Sequence, residues 1–262
     1  MQVFQKICRF FLLILNITIH TCFLCDYFRQ SFLGISEGLP IHPMEKLIVI
    51  RESFPERRHM DISIIGTGNV GSTLGKRWAE SGHKITYGSR EPQSERVQKL
   101  VKESGNGASA ANNHDAMQAS PLILLAVPWK AAEDIIKEGG DLKGKVIIDC
   151  INTFPDELSQ SLAEKIAEWA VGAHVIKAFN MTGSDNMADP VYGGQKLSMF
   201  ICGDEEDAKG QAASLAEDLG FEVIDAGGLD SALYLESLAR LWIHLAYNRK
   251  FGKRIGWKLL ER

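Results

Sequence analysis

From Met60 onward the chain alternates between short apolar runs and longer stretches in which apolar residues recur at helical spacing. Ile62, Ile64 and Ile65 make the first run, Lys84 to Tyr87 the second and LILLAV, after Pro121, the third. KVIIDC after Gly144 and HVIKAF, ending at Phe179, follow. Between the first two, Leu74 and Trp78 fall on one helical face. Further helices are predicted over Gln93 to Glu103, Asn112 to Ala119, Ala131 to Glu138 and Asp156 to Trp169, the first of these closed by Gly105-Asn106-Gly107. Two later strands, KLSMFICG and FEVIDAG, flank a helix over Glu205 to Leu219, and a last helix is predicted over Leu229 to Tyr247. Strands alternating with helices imply an α/β fold whose mostly parallel sheet is covered on both faces.

The first strand runs into Gly66-x-Gly68-x-x-Gly71, and a helical pattern starts behind it. That spacing alone is weak evidence, because glycine is common; its place between a buried strand and a helix makes it specific. Gly66 permits a tight turn, Gly68 lets the backbone approach a pyrophosphate, and Gly71 lets helix and strand pack closely. The amides of Thr67, Asn69 and Val70 then face an anion at a helix N-terminus. A Rossmann-type, doubly wound sheet of at least six strands with C-terminal helices is therefore expected, with a dinucleotide as ligand. An NAD site places a carboxylate about 20 residues beyond the first glycine. Here that position holds Tyr87-Gly88-Ser89-Arg90, with no carboxylate before Glu91. Ser89 and Arg90 offer a hydroxyl and a charge-assisted fork to a 2'-phosphate, so the expected cofactor is NADP(H).

In doubly wound sheets ligands sit outside the carboxyl ends of the strands. Those ends supply Val127 and Pro128, expected beside the nicotinamide ribose, and Asn152 and Asn180, expected to hydrogen-bond a carboxamide or a substrate polar group. Residues 180–196 form a connection dense in turn formers, a candidate lid with Met181, Met187 and Tyr192 as apolar surface. The carboxylates from Asp204 to Asp207 stand at a helix start, where capping and dipole effects account for them, and no metal is expected. His174 and His244 read as structural, and Lys177 receives no catalytic role, because its direction depends on the strand's alternation. No catalytic residue is named.

At 262 residues and net charge -4 the chain can bury one sizeable core, and its mildly acidic balance gives no argument for nucleic acid. Five cysteines, Cys8, Cys22, Cys25, Cys150 and Cys202, are too scattered for a disulfide framework. They fit a reducing compartment, and a cytoplasmic location is expected. Residues 1–59 read as an N-terminal extension outside the fold, disordered or not translated, with residues 60–262 as the NADP-binding domain. Lys6 and Arg9 ahead of Phe10 to Ile19 have the outline of a signal peptide, but no small-x-small cleavage site follows. That run is also too short for a comfortable membrane span, and no membrane partner is expected. On the last helix, Tyr234, Leu238, Leu241, Trp242 and Leu245 form an apolar stripe that packs on its own core or on a second subunit, a homodimer being the expected assembly. The closing NRKFGKRIGWKLLER places cations where they suit a helix end or an anionic substrate.

IGTGNVGSTLGKRWAESGHKITYGSR, LAVPW, VIKAFNM and LARLWIHLAY together resemble the NADPH-dependent reductases of the coenzyme F-420:NADP oxidoreductase family, from Met60 to about Arg262. The resemblance implies a pyrophosphate on Gly66, Thr67, Gly68, Asn69, Val70 and Gly71 and a 2'-phosphate on Ser89 and Arg90. It further implies Val127 and Pro128 beside the nicotinamide ribose, Asn180 near the ring, and hydride transfer between NADPH and a small redox acceptor, a deazaflavin (coenzyme F-420) or a flavin-like compound. Such a transfer requires two ring carbons to be aligned and water excluded, with no obligatory acid or base. A carbonyl or imine substrate would instead require a proton donor. A non-catalytic NADP(H) sensor, the alternative from another class, would keep the cofactor contacts and close the substrate pocket.

Overall fold

The computed structural model describes residues 59–153 and 160–262. The expected extension lies outside them except for His59, as does the stretch from Asp156 to Ser159 of the helix predicted to start there. In chain order the strands are β1 (Asp61–Ile65), β2 (Lys84–Gly88), β3 (Ser109–Ala111), β4 (Leu122–Leu125) and β5 (Val146–Asp149). β6 (His174–Lys177), β7 (Val191–Tyr192), β8 (Gln195–Lys196), β9 (Ser198–Gly203) and β10 (Glu222–Asp225) follow. The helices are α1 (Asn69–Glu80), α2 (Glu95–Ser104), α3 (Asn113–Ala119) and α4 (Ala132–Glu138), then α5 (Leu162–Trp169), α6 (Ser184–Ala188), α7 (Glu206–Leu219) and α8 (Ala232–Ile243).

Eight strands form one sheet in the order β10-β9-β6-β5-β4-β1-β2-β3, and β7 with β8 forms a separate hairpin. From β3 to β6 every neighbour is parallel; β9 runs antiparallel to β6, and β10 lies parallel beside β9. The expected doubly wound, mostly parallel sheet is present. Its strands are buried as parallel strands must be when helices cover both faces: every residue from Leu122 to Leu125 is fully enclosed. Strand order reverses between β1 and β4, so the crevice at the carboxyl ends opens there.

Several boundaries differ from the expectation. β3 was not anticipated, because Ser109-Ala110-Ala111 is a short, half-exposed edge with no apolar run to announce it. Helix α2 starts two residues late behind Ser94, whose extended backbone makes it the N-cap. Ser161 is likewise extended and forms a reciprocal capping box with Glu164, so α5 begins at Leu162. Glu205 caps α7 by accepting a hydrogen bond from the amide of Ala208, as expected for that acidic run.

The largest correction concerns residues 180–196. This stretch contains α6 and the β7–β8 hairpin, and Met181 and Met187 are buried in the core. The Tyr192 hydroxyl donates to Asn186 Oδ1, and Asn186 Nδ2 donates to the Ile255 carbonyl. The segment is thus anchored from beneath and offers no methionine surface to a ligand. The apolar stripe on the last helix also divides. Trp242 is buried, with its indole N–H on the Ile255 carbonyl, whereas Tyr234 is 77% exposed and Leu241 46%. The helix itself ends at Ile243 and passes into a π-helical turn over His244–Asn248. Among the described residues, no helix is long and apolar enough to cross a membrane.

Close packing of α1 on β1 makes a sharp prediction. A Cβ on Gly71 would lie 2.0 Å from the Gly66 carbonyl oxygen, backbone that cannot move aside. Gly71→Ala is expected to lower stability in urea unfolding by about 2 kcal/mol or more. Gly210, inside α7, has open space where its Cβ would be, so Gly210→Ala is expected to raise stability by about 0.5–1 kcal/mol. Equal effects of the two substitutions would contradict this packing.

Candidate functional site

At the end of β1 the chain turns through Gly66, whose φ of 109° and lack of a side chain are both needed. A Cβ there would sit 2.2 Å from the Ala126 carbonyl oxygen. Gly68 is the N-cap of α1, in extended conformation and without any side-chain cap. The first amides of α1 are therefore left for an external acceptor. A Cβ on Gly68 would meet nothing within 4 Å, which places this residue at the open face of the turn. Gly71 lies buried one helical turn behind and closes the back of the loop.

The turn opens on a crevice of about 990 Å³ lined by Gly66, Thr67, Gly68, Ser89, Arg90, Val127 and Pro128. Those are seven of the twelve residues singled out from the sequence. Asn69, Val70 and Gly71 belong to the first turn of α1 beside this wall. Asn152 and Asn180 do not line it.

Positive charge gathers where β2 ends. Arg90 lines the crevice and makes no ion pair among the described residues. Ser89 is fixed by its amide, which donates to the Ala111 carbonyl, and its Oγ accepts from the Glu91 amide at 3.2 Å. A second guanidinium, Arg96, reaches back from the first turn of α2. It donates from Nη1 to the Thr67 carbonyl at 2.8 Å and from Nη2 to Thr67 Oγ1 at 2.7 Å. The glycine loop is thereby tied to the cationic end of the crevice. Glu91 stands on the same rim. Tyr87 points the other way: its hydroxyl pairs with Ser104, and burial pushes its pKa up to about 12.

At the ends of β5 and β6 the polar groups face one another. Phe179, with φ 59°, turns the chain sharply after β6. Asn180 then donates to Asn152 Oδ1 at 3.1 Å and to the Leu235 carbonyl at 3.1 Å, while Asn152 donates to the Asn180 carbonyl at 2.6 Å. The amide hydrogens of Asn180 are thus spent inside the protein, and its buried Oδ1 has no partner among the described residues. Beneath this clasp lies an ion cluster with no access to water. Lys177 Nζ sits 2.9 Å from Asp149 Oδ2 and 2.9 Å from Glu236 Oε1, all three side chains being at most 1% exposed. Desolvation lowers the pKa of Lys177, but the Asp149 and Glu236 charges outweigh it and the net direction is up. Burial raises that of Asp149, against the pull of Lys177.

Arg96 and this cluster escaped the sequence reading. Arg96 is one charge among several on its helix, and its only signal is its place in the helix's first turn. Asp149 and Lys177 did carry a signal, as lone charges of opposite sign at the ends of buried strands that lie side by side. His174 opens β6 at the far end of the sheet from the crevice, and His244 is exposed.

The family described as NADP oxidoreductase coenzyme F420-dependent matches residues 61–153. An F420-dependent NADP reductase of Methanothermobacter thermautotrophicus is 30% identical over 210 residues, which cover 71% of this chain and 89% of that protein. The metalloreductase STEAP3 of Rattus norvegicus is 29% identical over 181 residues, 68% of this chain, of which the matched part is 36% of the relative. The chain thus spans about a third of that relative's length. A crystal structure of a candidate F420-dependent NADP reductase from Arthrobacter sp. FB24 superposes with a TM-score of 0.70 at 27% identity, covering 77% of this chain and 100% of that one.

Removing the buried cation leaves two carboxylates without compensation. Lys177→Met is expected to cost about 3–5 kcal/mol in urea unfolding. A loss below about 1 kcal/mol would show that the cluster is not the closed ion pair described.

Proposed function

The chain belongs to the coenzyme F420-dependent NADP oxidoreductase family, and we propose that it passes a hydride between NADPH and a small redox acceptor, a deazaflavin such as coenzyme F-420 or a flavin-like compound. One observation carries this reading: an uncapped helix N-terminus opens into a crevice whose neighbouring wall holds Ser89, Arg90 and Arg96. The donor set fits NADP(H). The amides of Thr67, Asn69 and Val70 are available to a pyrophosphate, with Gly66, Gly68 and Gly71 allowing its approach. Arg90 and Ser89 would hold the 2'-phosphate, and Arg96, already braced on Thr67, adds a second cation.

Val127 and Pro128 would carry the nicotinamide ribose along the crevice wall. Asn152 and Asn180 stand off the crevice wall and would act by holding the ends of β5 and β6 together through their mutual clasp. NADPH, when bound, supplies the hydride. The chain's own part is to align the two rings and keep water out.

The outer face of α8, with Tyr234 and Leu241 exposed, supports a homodimer in which a second copy covers it. Cys150 and Cys202, both buried and unpaired, suit a reducing, cytoplasmic setting.

The function is tested by following NADPH oxidation with coenzyme F-420 and with flavins as acceptors. Turnover with one of them is expected; tight NADPH binding without turnover on any acceptor would favour a sensor. Arg90→Ala is expected to raise KM for NADPH about 10- to 100-fold and to leave KM for NADH nearly unchanged. Comparable losses with both would remove the case for 2'-phosphate selection. Light scattering should find a dimer that Leu241→Glu dissociates; a monomeric wild type would contradict the proposed assembly.

A further inference from the structure

Thr67 stands between two glycines, the residues least able to hold a backbone in one conformation. Hydrogen bonds fix the turn on either side of it: the Gly66 amide donates to the Gly88 carbonyl at 3.3 Å, and the Ser72 amide to the Gly68 carbonyl at 2.9 Å. The peptide between Thr67 and Gly68 has no such backbone partner among the described residues. What holds it is Arg96, 29 residues further along the chain, whose forked guanidinium donates to the Thr67 carbonyl at 2.8 Å and to Thr67 Oγ1 at 2.7 Å.

Carbonyl and N–H point in opposite directions across a trans peptide, and no peptide bond among the described residues is cis. By holding the Thr67 carbonyl, Arg96 therefore decides which way the Gly68 N–H faces. The amides of Thr67 and Gly68 have no acceptor among the described residues, and α1 opens directly behind them with no side-chain cap. Rotation of this one peptide would exchange a donor for a carbonyl oxygen, whose partial negative charge repels an anion. The other N–H groups of Arg96 have no acceptor among the described residues, so the bonds to Thr67 do not exhaust its donors.

We propose that Arg96 is a positioning residue for the pyrophosphate: it sets the Thr67–Gly68 peptide with its N–H toward the anion, and so supports a pyridine dinucleotide with or without a 2'-phosphate. The proposal rests on the NADP(H) reading above. It gives Arg96 a task that Arg90, with no hydrogen bond to the turn among the described residues, does not share.

Arg96→Lys keeps the charge and removes the fork. Its effect is read with NAD+, which has the pyrophosphate and lacks the 2'-phosphate, by displacement of fluorescent NADPH from the wild-type chain and from the variant. The variant is expected to bind NAD+ about three- to tenfold more weakly, with its urea midpoint unchanged. A smaller loss overturns the proposal and leaves Arg96 to the 2'-phosphate alone. Thr67→Val supplies the second reading. One of the two bonds is already gone in that background, so Arg96→Lys is expected to cost less there than in the wild type; a cost as large overturns the link through Thr67. Should Arg96→Lys fail to fold, Arg96→Gln is judged by the same two comparisons. Failure of the folded wild type to bind NADPH refutes the nucleotide reading itself, and the proposal with it. NADPH binding that persists while NAD+ affinity is insensitive to Arg96 refutes the proposal alone.

Discussion

Helix α1 meets the end of β1 with no room for a side chain between them. The space that a Cβ on Gly71 would need is taken by the Gly66 carbonyl oxygen, and the space beside Gly66 by that of Ala126. Because helix and strand approach this closely, the first amides of α1 come to the floor of the crevice instead of standing off behind a side chain. With no capping side chain at Gly68, these donors have no partner among the described residues. Such a helix start suits an anion, and the proposed nucleotide would place its pyrophosphate there.

The crevice and the ends of β5 and β6 hold charge in different ways. At the end of β2, Arg90, Arg96 and Glu91 stand at the surface, where water screens them and a phosphate can reach the guanidinium groups. At the ends of β5 and β6 the charges are inside, locked to one another and to backbone. The first arrangement recognises by contact. The second provides a stiff, dry base that joins β5, β6 and α8 into one body, which hydride transfer between two aligned rings requires of the protein beneath them.

Much of this was legible in the sequence because it rests on local rules. LILL and VIID read as buried strands since nothing else tolerates such runs, and a glycine triplet between a strand and a helix has few other uses. Ser89 and Arg90, reached by counting from Gly66, line the crevice. The elements that were missed depend on long-range contacts. β3 exists because it pairs with β2, although Ser109-Ala110-Ala111 has no pattern of its own. The methionines of residues 180–196 looked like ligand surface, since a loop rich in turn formers gives no sign that α1 and the C-terminal segment will cover it. Arg96 finds Thr67 only after α2 is placed, and Glu236 meets Lys177 across 59 residues of chain. The asparagines at the strand ends were correctly located as a pair of ends, but their mutual hydrogen bonds follow from the left-handed turn at Phe179, which the sequence does not announce.

The most direct test compares the two halves of the recognition in one titration series: adenosine 2',5'-bisphosphate against AMP, binding to the wild-type protein by calorimetry. If the crevice grips a phosphorylated ribose through Ser89, Arg90 and Arg96, the bisphosphate binds about 10- to 100-fold more tightly. Equal affinity for the two, or no binding of either to folded protein, would contradict the account at its base.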